Sequence, residues 1–239
     1  MPGGAYSALS GMRARLEELD RLAADLANVS TAGYKTERAG TAVVEREEFA
    51  AALASAVDVV AGESRIDFRP GTIATTGRDL DVAIEGNGFF VIDTPAGEHY
   101  TRNGAFTRRA DGVLTTAQGE AVIGEGGEIL LNAGAASIDE DGNVRSGNAV
   151  VGQIRLVSFE SNSDLVRESG ARFKAIAGAS PTPAEGRLLG GALEQSNVSV
   201  VDVMARLTDL SRNFESLQHG VSTFSNELDA RAISELTRR

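Results

Sequence analysis

Near the N-terminus, apolar residues recur at alternating intervals of three and four. This spacing places them at the a and d positions of a heptad, so it predicts a helix with one apolar seam. We expect Ser7 or Ser10 to cap the start of this helix and Gly33 to end it in the left-handed conformation. The seam residues are Leu9, Met12, Leu16, Leu19, Ala23 and Leu26.

The same alternation returns near the C-terminus and continues for longer. Charged and polar side chains lie between the apolar positions, which is typical of a helix with one solvated face. Asn197 or Ser199 is expected to be its N-cap. The seam residues are Val203, Leu207, Leu210, Phe214, Leu217, Val221, Phe224 and Leu228.

Between roughly residues 66 and 193 the apolar period changes to two, which indicates β-strands. Strands are expected over DLDVAIEG, GFFVID and VGQIRLVSFE. The dipeptides Asn103-Gly104, Asp111-Gly112 and Asp141-Gly142 favour tight hairpin turns. Many short strands with a turn about every ten residues predict an all-β domain.

The predicted fold class is therefore α+β, with an all-β central domain inserted between N- and C-terminal α-helices paired as a coiled coil. Two helices with one apolar stripe each bury those stripes most simply against each other. The expected segments are residues 1–39, the N-terminal helix and following turn; 40–65, a connection that fits helix or strand equally well; 66–193, the β domain; and 194–239, the C-terminal helix. The additional apolar residues Val200, Val201 and Met204 fit packing on the β domain or on other copies of the protein equally well.

Charge and composition exclude several classes of partner. The formal net charge of −11 and the pI of about 4.7 disfavour binding to nucleic acid and to anionic membranes. The absence of cysteine excludes disulfides and thiolate catalysis. The N-terminus lacks the apolar run of a secretory signal, and no stretch approaches the roughly 20 apolar residues of a membrane span.

Residues that could carry chemistry are sparse. His99 and His219 have no His or Cys near them at the spacing of metal ligands. The acidic run beginning at Asp139 resembles a calcium loop, but Val144 and Val150 stand where such a loop needs Gly and Glu, so a hairpin turn is the better interpretation. No nucleophile is paired with a base at a readable spacing. The sequence therefore predicts no enzyme activity, no cofactor and no metal site.

Four collinear segments resemble the family of bacterial flagellar rod and hook proteins. Within that family the chain is most similar to the proximal rod protein, and the distal rod protein is second. The segments are LANVSTAGYK (residues 26–35), RPGTIATTGRDLDVAIEGNGFFVI (69–92), YTRNGAFTRRADGVLTTAQGEAVIG (100–124) and LEQSNVSVVDVMARLTDLSRNFES (193–216).

This resemblance implies a structural subunit that assembles with copies of itself and other rod proteins into the helical drive shaft of the flagellar basal body. It implies export from the cytoplasm by the flagellar export apparatus without a cleaved signal peptide, and a final place in the periplasmic rod. We expect a monomer before assembly. Two other functions remain open: an exported soluble binding module with a ligand site in the β domain, and a cell-wall hydrolase.

The resemblance also singles out an assembly motif in the first segment. Gly33 is expected to turn the backbone sharply, and Asn28, Ser30 and Thr31 to cap the end of the helix. Tyr34 and Lys35 are expected to lie where the chain meets an adjacent subunit.

Overall fold

The computed structural model describes residues 3–39, 64–184 and 186–216, with side chains from residue 12 onward except at residues 39 and 162. These residues fall into two compact units. The helical unit contains residues 3–26, 38–39, 64–65 and 199–216, and the β unit contains Ala27–Glu37 and Ile66–Val198. Of the expected connecting segment 40–65, only Ser64 and Arg65 are among the described residues.

Two helices contribute to the helical unit. Helix α1 spans Gly3–Ala27, so Ser7 and Ser10 lie inside it and neither is its N-cap. The C-terminal helix is described over residues 200–216. Ser199 is its N-cap, because the Ser199 hydroxyl oxygen accepts a hydrogen bond from the N–H of Asp202 at 3.4 Å.

The predicted fold class, a terminal coiled-coil pair around an all-β domain, is wrong. The described part of the chain is strand-rich, with two helices and several separate sheets, and shows no such pair. In α1 the buried residues are Leu22 and Asp25, whereas the seam residues Leu16 and Ala23 are exposed, Leu16 to 49%. A periodic apolar stripe predicts an amphipathic helix, but it does not specify which element covers the stripe.

The other seam residues differ in burial. In α1, Met12, Leu19 and Leu26 are partly buried, and the side chain of Leu9 lies outside the described set. In the C-terminal helix Val203 and Leu210 are buried, and Leu207 and Phe214 are partly buried. The remaining C-terminal seam residues lie outside the described residues: Leu217, Val221, Phe224 and Leu228.

The β unit is built from short strands, which are joined by turns and by one short 3-10 helix, Asn162–Asp164. In chain order the strands are β1 (Glu37–Ala39), β2 (Ser64–Ile66), β3 (Ile73–Thr75), β4 (Val82–Glu85), β5 (Phe89–Thr94), β6 (Gly97–Thr101), β7 (Phe106–Arg108), β8 (Leu114–Thr116), β9 (Ala121–Gly124), β10 (Gly127–Glu128), β11 (Ala136–Ile138), β12 (Asn143–Ser146), β13 (Ala149–Gln153), β14 (Leu156–Ser158), β15 (Leu165–Ser169), β16 (Arg172–Ala175), β17 (Thr182–Pro183), β18 (Arg187–Gly190) and β19 (Ala192–Glu194).

The largest sheet is antiparallel and runs in the order β15-β16-β6-β5-β9-β8-β7, with β10 beside β9, β14 beside β5 and β17 beside β14. Strands β11, β12 and β13 form a second sheet. Three pairs complete the set: β1 with β2, β4 with β18 and β3 with β19.

Strand β5 is buried on both faces and separates two apolar clusters. Its alternate side chains point to opposite faces because the period of a strand is two. Phe90 and Ile92 join one cluster, and Phe89 and Val91 join the other. The first cluster also contains Val82, Ile84, Phe106, Leu114, Ile154 and Leu188, and the second contains Tyr100, Val157, Leu165 and Phe173.

Two of the three predicted hairpin turns are confirmed. Gly112 and Gly142 have φ values of +91° and +80° and connect β7 to β8 and β11 to β12. The turn predicted at Asn103-Gly104 is wrong, because β6 and β7 are not neighbours in the sheet. Glycine is needed there for close approach, since a Cβ on Gly104 would lie 1.7 Å from the carbonyl oxygen of Val82.

The strand predicted over VGQIRLVSFE is two strands, β13 and β14, in different sheets. The chain changes partners between them. The N–H of Ile154 donates to Gly142 O at 2.8 Å, whereas the N–H of Arg155 donates to Ile123 O at 3.2 Å. An alternating apolar pattern does not reveal such a change of neighbour.

Candidate functional site: a buried charge network beside the N-terminal motif

After α1 the chain makes a compact turn that contains the first two motif residues. The N–H of Thr31 donates to Asn28 O at 3.0 Å, and the Thr31 hydroxyl donates to Asn28 Oδ1 at 3.1 Å. Both residues also line a small polar cavity of about 190 Å³ in the β unit, together with Thr101, Asn103 and Arg172. The structure thus places Asn28 and Thr31 together, in contact with each other.

Gly33 fits where no other residue would. Its φ of +67° lies in the left-handed region that glycine adopts without strain. A Cβ there would lie 2.3 Å from the carbonyl carbon of Arg102 and 2.4 Å from the nitrogen of Asn103. The N–H of Gly33 donates to Glu194 O at 2.8 Å. Gly33 therefore docks the motif against two distant parts of the chain, rather than ending α1, which stops at Ala27.

Tyr34 is buried beneath an arginine. The guanidinium of Arg167 lies 4.5 Å from the centre of the Tyr34 ring and 5.6 Å from that of Phe173. Arg167 also donates to the carbonyl oxygen of Lys35 and lies 3.4 Å from a carboxylate oxygen of Glu37. A planar guanidinium can stack on rings and donate at its edges at the same time, which a lysine cannot do. Arg167 therefore fastens the extended segment after Gly33 to strand β15.

Lys35, Arg102 and Glu194 form a fully buried group of three charges, which we call the junction network. Glu194 Oε1 accepts hydrogen bonds from the Lys35 ammonium and from the N–H of Gly71 at 2.9 Å. Glu194 Oε2 accepts from Arg102 Nη1 at 3.2 Å. Lys35 also donates to Arg69 O at 2.9 Å, and Arg102 to Gly86 O at 2.8 Å. The carboxylate of Glu194 thus binds two cations that are distant from it and from each other in the sequence.

Burial dominates the protonation equilibrium of Lys35. Removal from water lowers the pKa of the Lys35 ammonium below its ordinary value, and the hydrogen bond and charge of Glu194 offset this only in part. The nearby Arg102 cation lowers the pKa further. Removing these three charges from water costs free energy, and the hydrogen bonds among them offset that cost.

Asn197 ties the same region together through the main chain. Its Oδ1 accepts from the N–H of Thr36 at 2.7 Å, and its Nδ2 donates to Asp67 O at 2.7 Å and to Arg69 O at 3.1 Å. The N–H of Asn197 donates to Tyr34 O at 3.3 Å. Three separate segments are therefore joined by one amide side chain.

Most polar groups at this site form hydrogen bonds to other parts of the same chain. Among the described residues, no group of three or more His, Asp or Glu side chains is placed to hold a metal ion. His99 is buried in β6, with Nε2 2.8 Å from Glu168 Oε2, and His219 lies outside the described residues. No described helix is long and apolar enough to cross a membrane.

Sequence reasoning found one side of this site and missed the other. It selected Gly33, Tyr34 and Lys35, but expected the last two at a contact with an adjacent subunit, whereas both are buried within their own chain. The partner side chains that it missed, those of Arg102, Arg167, Glu194 and Asn197, all lie far from the motif in sequence. Arg102, Glu194 and Asn197 nevertheless fall inside the family-like segments YTRNG and LEQSN, which were the available signal; Arg167 lies outside all four segments.

Comparison with known proteins identifies similar chains. Residues 83–146 match the family model described as the flagellar hook protein FlgE/F/G D1 domain, and residues 189–234 match that of the flagellar basal body rod FlgEFG protein C-terminal region. The chain is 32% identical to the flagellar basal-body rod protein FlgF of Caulobacter vibrioides, over 99% of this chain and 98% of that protein. It is 34% identical to FlgF of Salmonella typhimurium, over 95% of each chain. It is 32% identical to FlgG of Bacillus subtilis, over 91% of this chain and 93% of that protein.

Proposed function

The chain belongs to the flagellar basal-body rod protein family, and from that premise we propose that it serves as a structural subunit of the rod, of the proximal or the distal type. The observation that carries this function is the similarity along almost the whole chain to rod proteins of several bacteria. Full-length similarity matters here because a rod subunit works through extended surfaces and not through a single local site.

We propose that the junction network has a mechanical role in this subunit. The chain passes between the helical unit and the β unit at four points, after Leu26, Glu37, Arg65 and Val198. The second and the fourth adjoin residues of the site, since Lys35 lies two positions before Glu37 and Asn197 lies one position before Val198. A mechanical force transmitted along the backbone at either of these two points would act on the buried, hydrogen-bonded segments that contain Lys35 and Asn197. Here the assembly motif acts from inside the subunit, by fixing the backbone that leads to its contact surfaces.

The expected partners, location and export route of the chain follow from the same family relationship. The expected partners are other rod proteins and copies of this chain, at the flagellar basal body. We further propose that the chain reaches the periplasmic rod through the flagellar export apparatus without cleavage of a signal peptide. We also propose that it is a monomer before it assembles.

A structural role also favours the absence of enzyme activity. The relatives are named as rod proteins, and the described side chains at the site are engaged in holding backbone together. The alternative function, an exported binding module with a ligand site in the β domain, has no support from these relatives.

A gene deletion with complementation tests the proposed function. In a flagellated bacterium that carries this gene, the deletion should abolish swimming and leave basal bodies without a complete rod in electron micrographs. Wild-type protein supplied in trans should restore both. Intact rods and normal swimming in the deletion strain would show that the chain is not a rod subunit.

A further inference from the structure

A histidine and a glutamate meet near the edge of the largest sheet. His99, on β6, is fully buried, and its Nε2 lies 2.8 Å from Oε2 of Glu168, whose side chain is 37% exposed. Glu168 belongs to the edge strand β15, and β16 separates β15 from β6. The register of β15 against β16 shifts between Arg167 and Ser169, so Glu168 is the extra residue of a β-bulge, a feature that re-aims a side chain. The contact therefore joins the outermost strand to a strand two positions further in.

The hydrogen bonds at Nδ1 define one proton position on the His99 ring. Nδ1 lies 2.9 Å from Gly97 O and 3.0 Å from Thr94 Oγ1. A carbonyl oxygen only accepts hydrogen bonds, so Nδ1 must be the donor to Gly97. The Thr94 hydroxyl donates its own hydrogen to Gly97 O at 2.9 Å, which leaves its oxygen free to accept from Nδ1. Nδ1 therefore carries a proton.

The other ring nitrogen, Nε2, faces a negative charge. Within the described residues it is buried without an aligned hydrogen bond, and its polar contact is the carboxylate of Glu168. Without a proton, Nε2 would direct a lone pair toward a carboxylate oxygen at a separation typical of a hydrogen bond. With a proton, the ring is an imidazolium, and the same contact becomes an attraction between opposite charges. The geometry therefore favours a ring that carries both protons.

The charged groups that face His99 from the described neighbouring strands are consistent with this state. On β16, Lys174 lies opposite His99 by the register of that strand with β6, and it is exposed to water. Arg172 on the same strand pairs with Glu120. On β5 the residue opposite His99 is apolar. Glu168 is thus the carboxylate that balances the charge of the ring.

We propose that His99 and Glu168 form a proton-dependent latch at the edge of the sheet. With both protons, the ring holds Glu168, and with it the bulged end of β15, close to β6. Release of the Nε2 proton to water removes the attraction, and the part-exposed Glu168 then turns to solvent. Arg167, the neighbour of Glu168, contacts the Tyr34 ring and the carbonyl oxygen of Lys35. The latch therefore controls how firmly β15 holds the N-terminal motif.

Nitrogen NMR of the ring detects the two protons directly. The full chain with His219→Gln has His99 as its single imidazole. At about pH 7.5, where an ordinary imidazole with a pKa of about 6.5 is mostly neutral, both ring nitrogens should give imidazolium signals. When Glu168→Gln is added, the new amide can donate to Nε2, so Nε2 should lose its proton while Nδ1 keeps its own. A neutral ring in the chain that retains Glu168 would overturn the proposal.

The pH dependence of unfolding tests the latch as a contribution to stability. A folded chain that keeps a proton which the unfolded chain releases becomes less stable as the pH rises. Between about pH 7 and about pH 8.5, the unfolding equilibrium constant of the wild type should rise relative to that of Glu168→Gln, by up to about tenfold per pH unit. The matched control is Glu98→Gln, which removes a carboxylate that pairs with Arg155 at 3.3 Å and should keep the wild-type pH dependence. Identical pH dependence of the wild type and Glu168→Gln would overturn the proposal.

Amide exchange tests whether the latch acts on the motif. The N–H of Asn197 donates to Tyr34 O at 3.3 Å and reports on the motif. Comparing its exchange rate in the wild type and in Glu168→Gln at the same pH cancels the intrinsic effect of pH on exchange. The ratio of the two rates should rise at least about threefold from about pH 7 to about pH 9, because local opening increases in the wild type alone. A constant ratio would overturn the control of the motif by the latch.

Discussion

Asn197 Oδ1 accepts a hydrogen bond of 2.7 Å from the N–H of Thr36, a residue 161 positions earlier in the chain. Each of the two lies one position before a point where the chain leaves the β unit, after Glu37 and after Val198. The same amide donates to Asp67 O and Arg69 O. One side chain therefore links its own segment to two other segments of the chain.

Asn197→Ala is expected to lower the free energy of unfolding by about 2–4 kcal/mol, because it leaves part-buried donors and acceptors without partners. Denaturant unfolding of the purified protein measures this. The matched control is Asn148→Ala on an exposed turn, which should change stability by less than about 0.5 kcal/mol. Equal stability of the two variants would show that the Asn197 bonds contribute nothing.

Substituting Glu194 should destabilise the protein more than substituting its partner Lys35. Glu194→Gln leaves two buried cations without a counter-charge and is expected to cost about 3–5 kcal/mol. Lys35→Met leaves Glu194 still paired with Arg102 and should cost less. Unfolding measured under the same conditions gives the order, and a larger loss for Lys35→Met would contradict this account of the network.

The lowered pKa of Lys35 predicts a pH dependence of stability with a definite sign. Between that lowered value and the ordinary 10.5, the unfolded chain binds more protons at this position than the folded chain does. The free energy of unfolding therefore rises with pH on account of Lys35. The difference between wild type and Lys35→Met should widen as the pH rises toward 10.5. A constant or narrowing difference would argue against it.

Gly33→Ala should be far more damaging than the same change at another glycine of similar φ. Gly77 has a φ of +72°, and a Cβ there would meet nothing within 4 Å. Gly77→Ala should cost about 1–2 kcal/mol, the ordinary penalty for left-handed backbone. Gly33→Ala should exceed about 3 kcal/mol, because it adds an overlap with the backbone at Arg102. Similar losses for both variants would mean that the segment moves aside freely.

Local patterns predicted the parts of the fold that depend on neighbours in sequence. The turns at Gly112 and Gly142 follow from dipeptides that tolerate positive φ, and the period of two placed β4 and β5 correctly. A pattern of this kind does not encode partners. It therefore joined β13 to β14, and it paired the terminal seams with each other although Leu16 is exposed.

The site shows the same limit at the level of single residues. Gly33 was expected to adopt the left-handed conformation and does, because that follows from local backbone geometry. Lys35 was expected at a contact with an adjacent subunit because of the family resemblance, and not because of a local pattern. Its burial depends on Glu194, which is 159 positions away, and no local rule gives that distance.

Glu194 comes late in the chain, and this has a consequence for the order in which the molecule can be completed. A chain that emerges from a ribosome or a channel with its N-terminus first delivers Lys35 and Arg102 long before their carboxylate. Until the last fifth of the polypeptide has appeared, the two cations have nothing to bury them against. Synthesis or translocation must therefore reach Glu194 before the junction network can form. A chain that stops earlier lacks the carboxylate that pairs with Lys35 and Arg102.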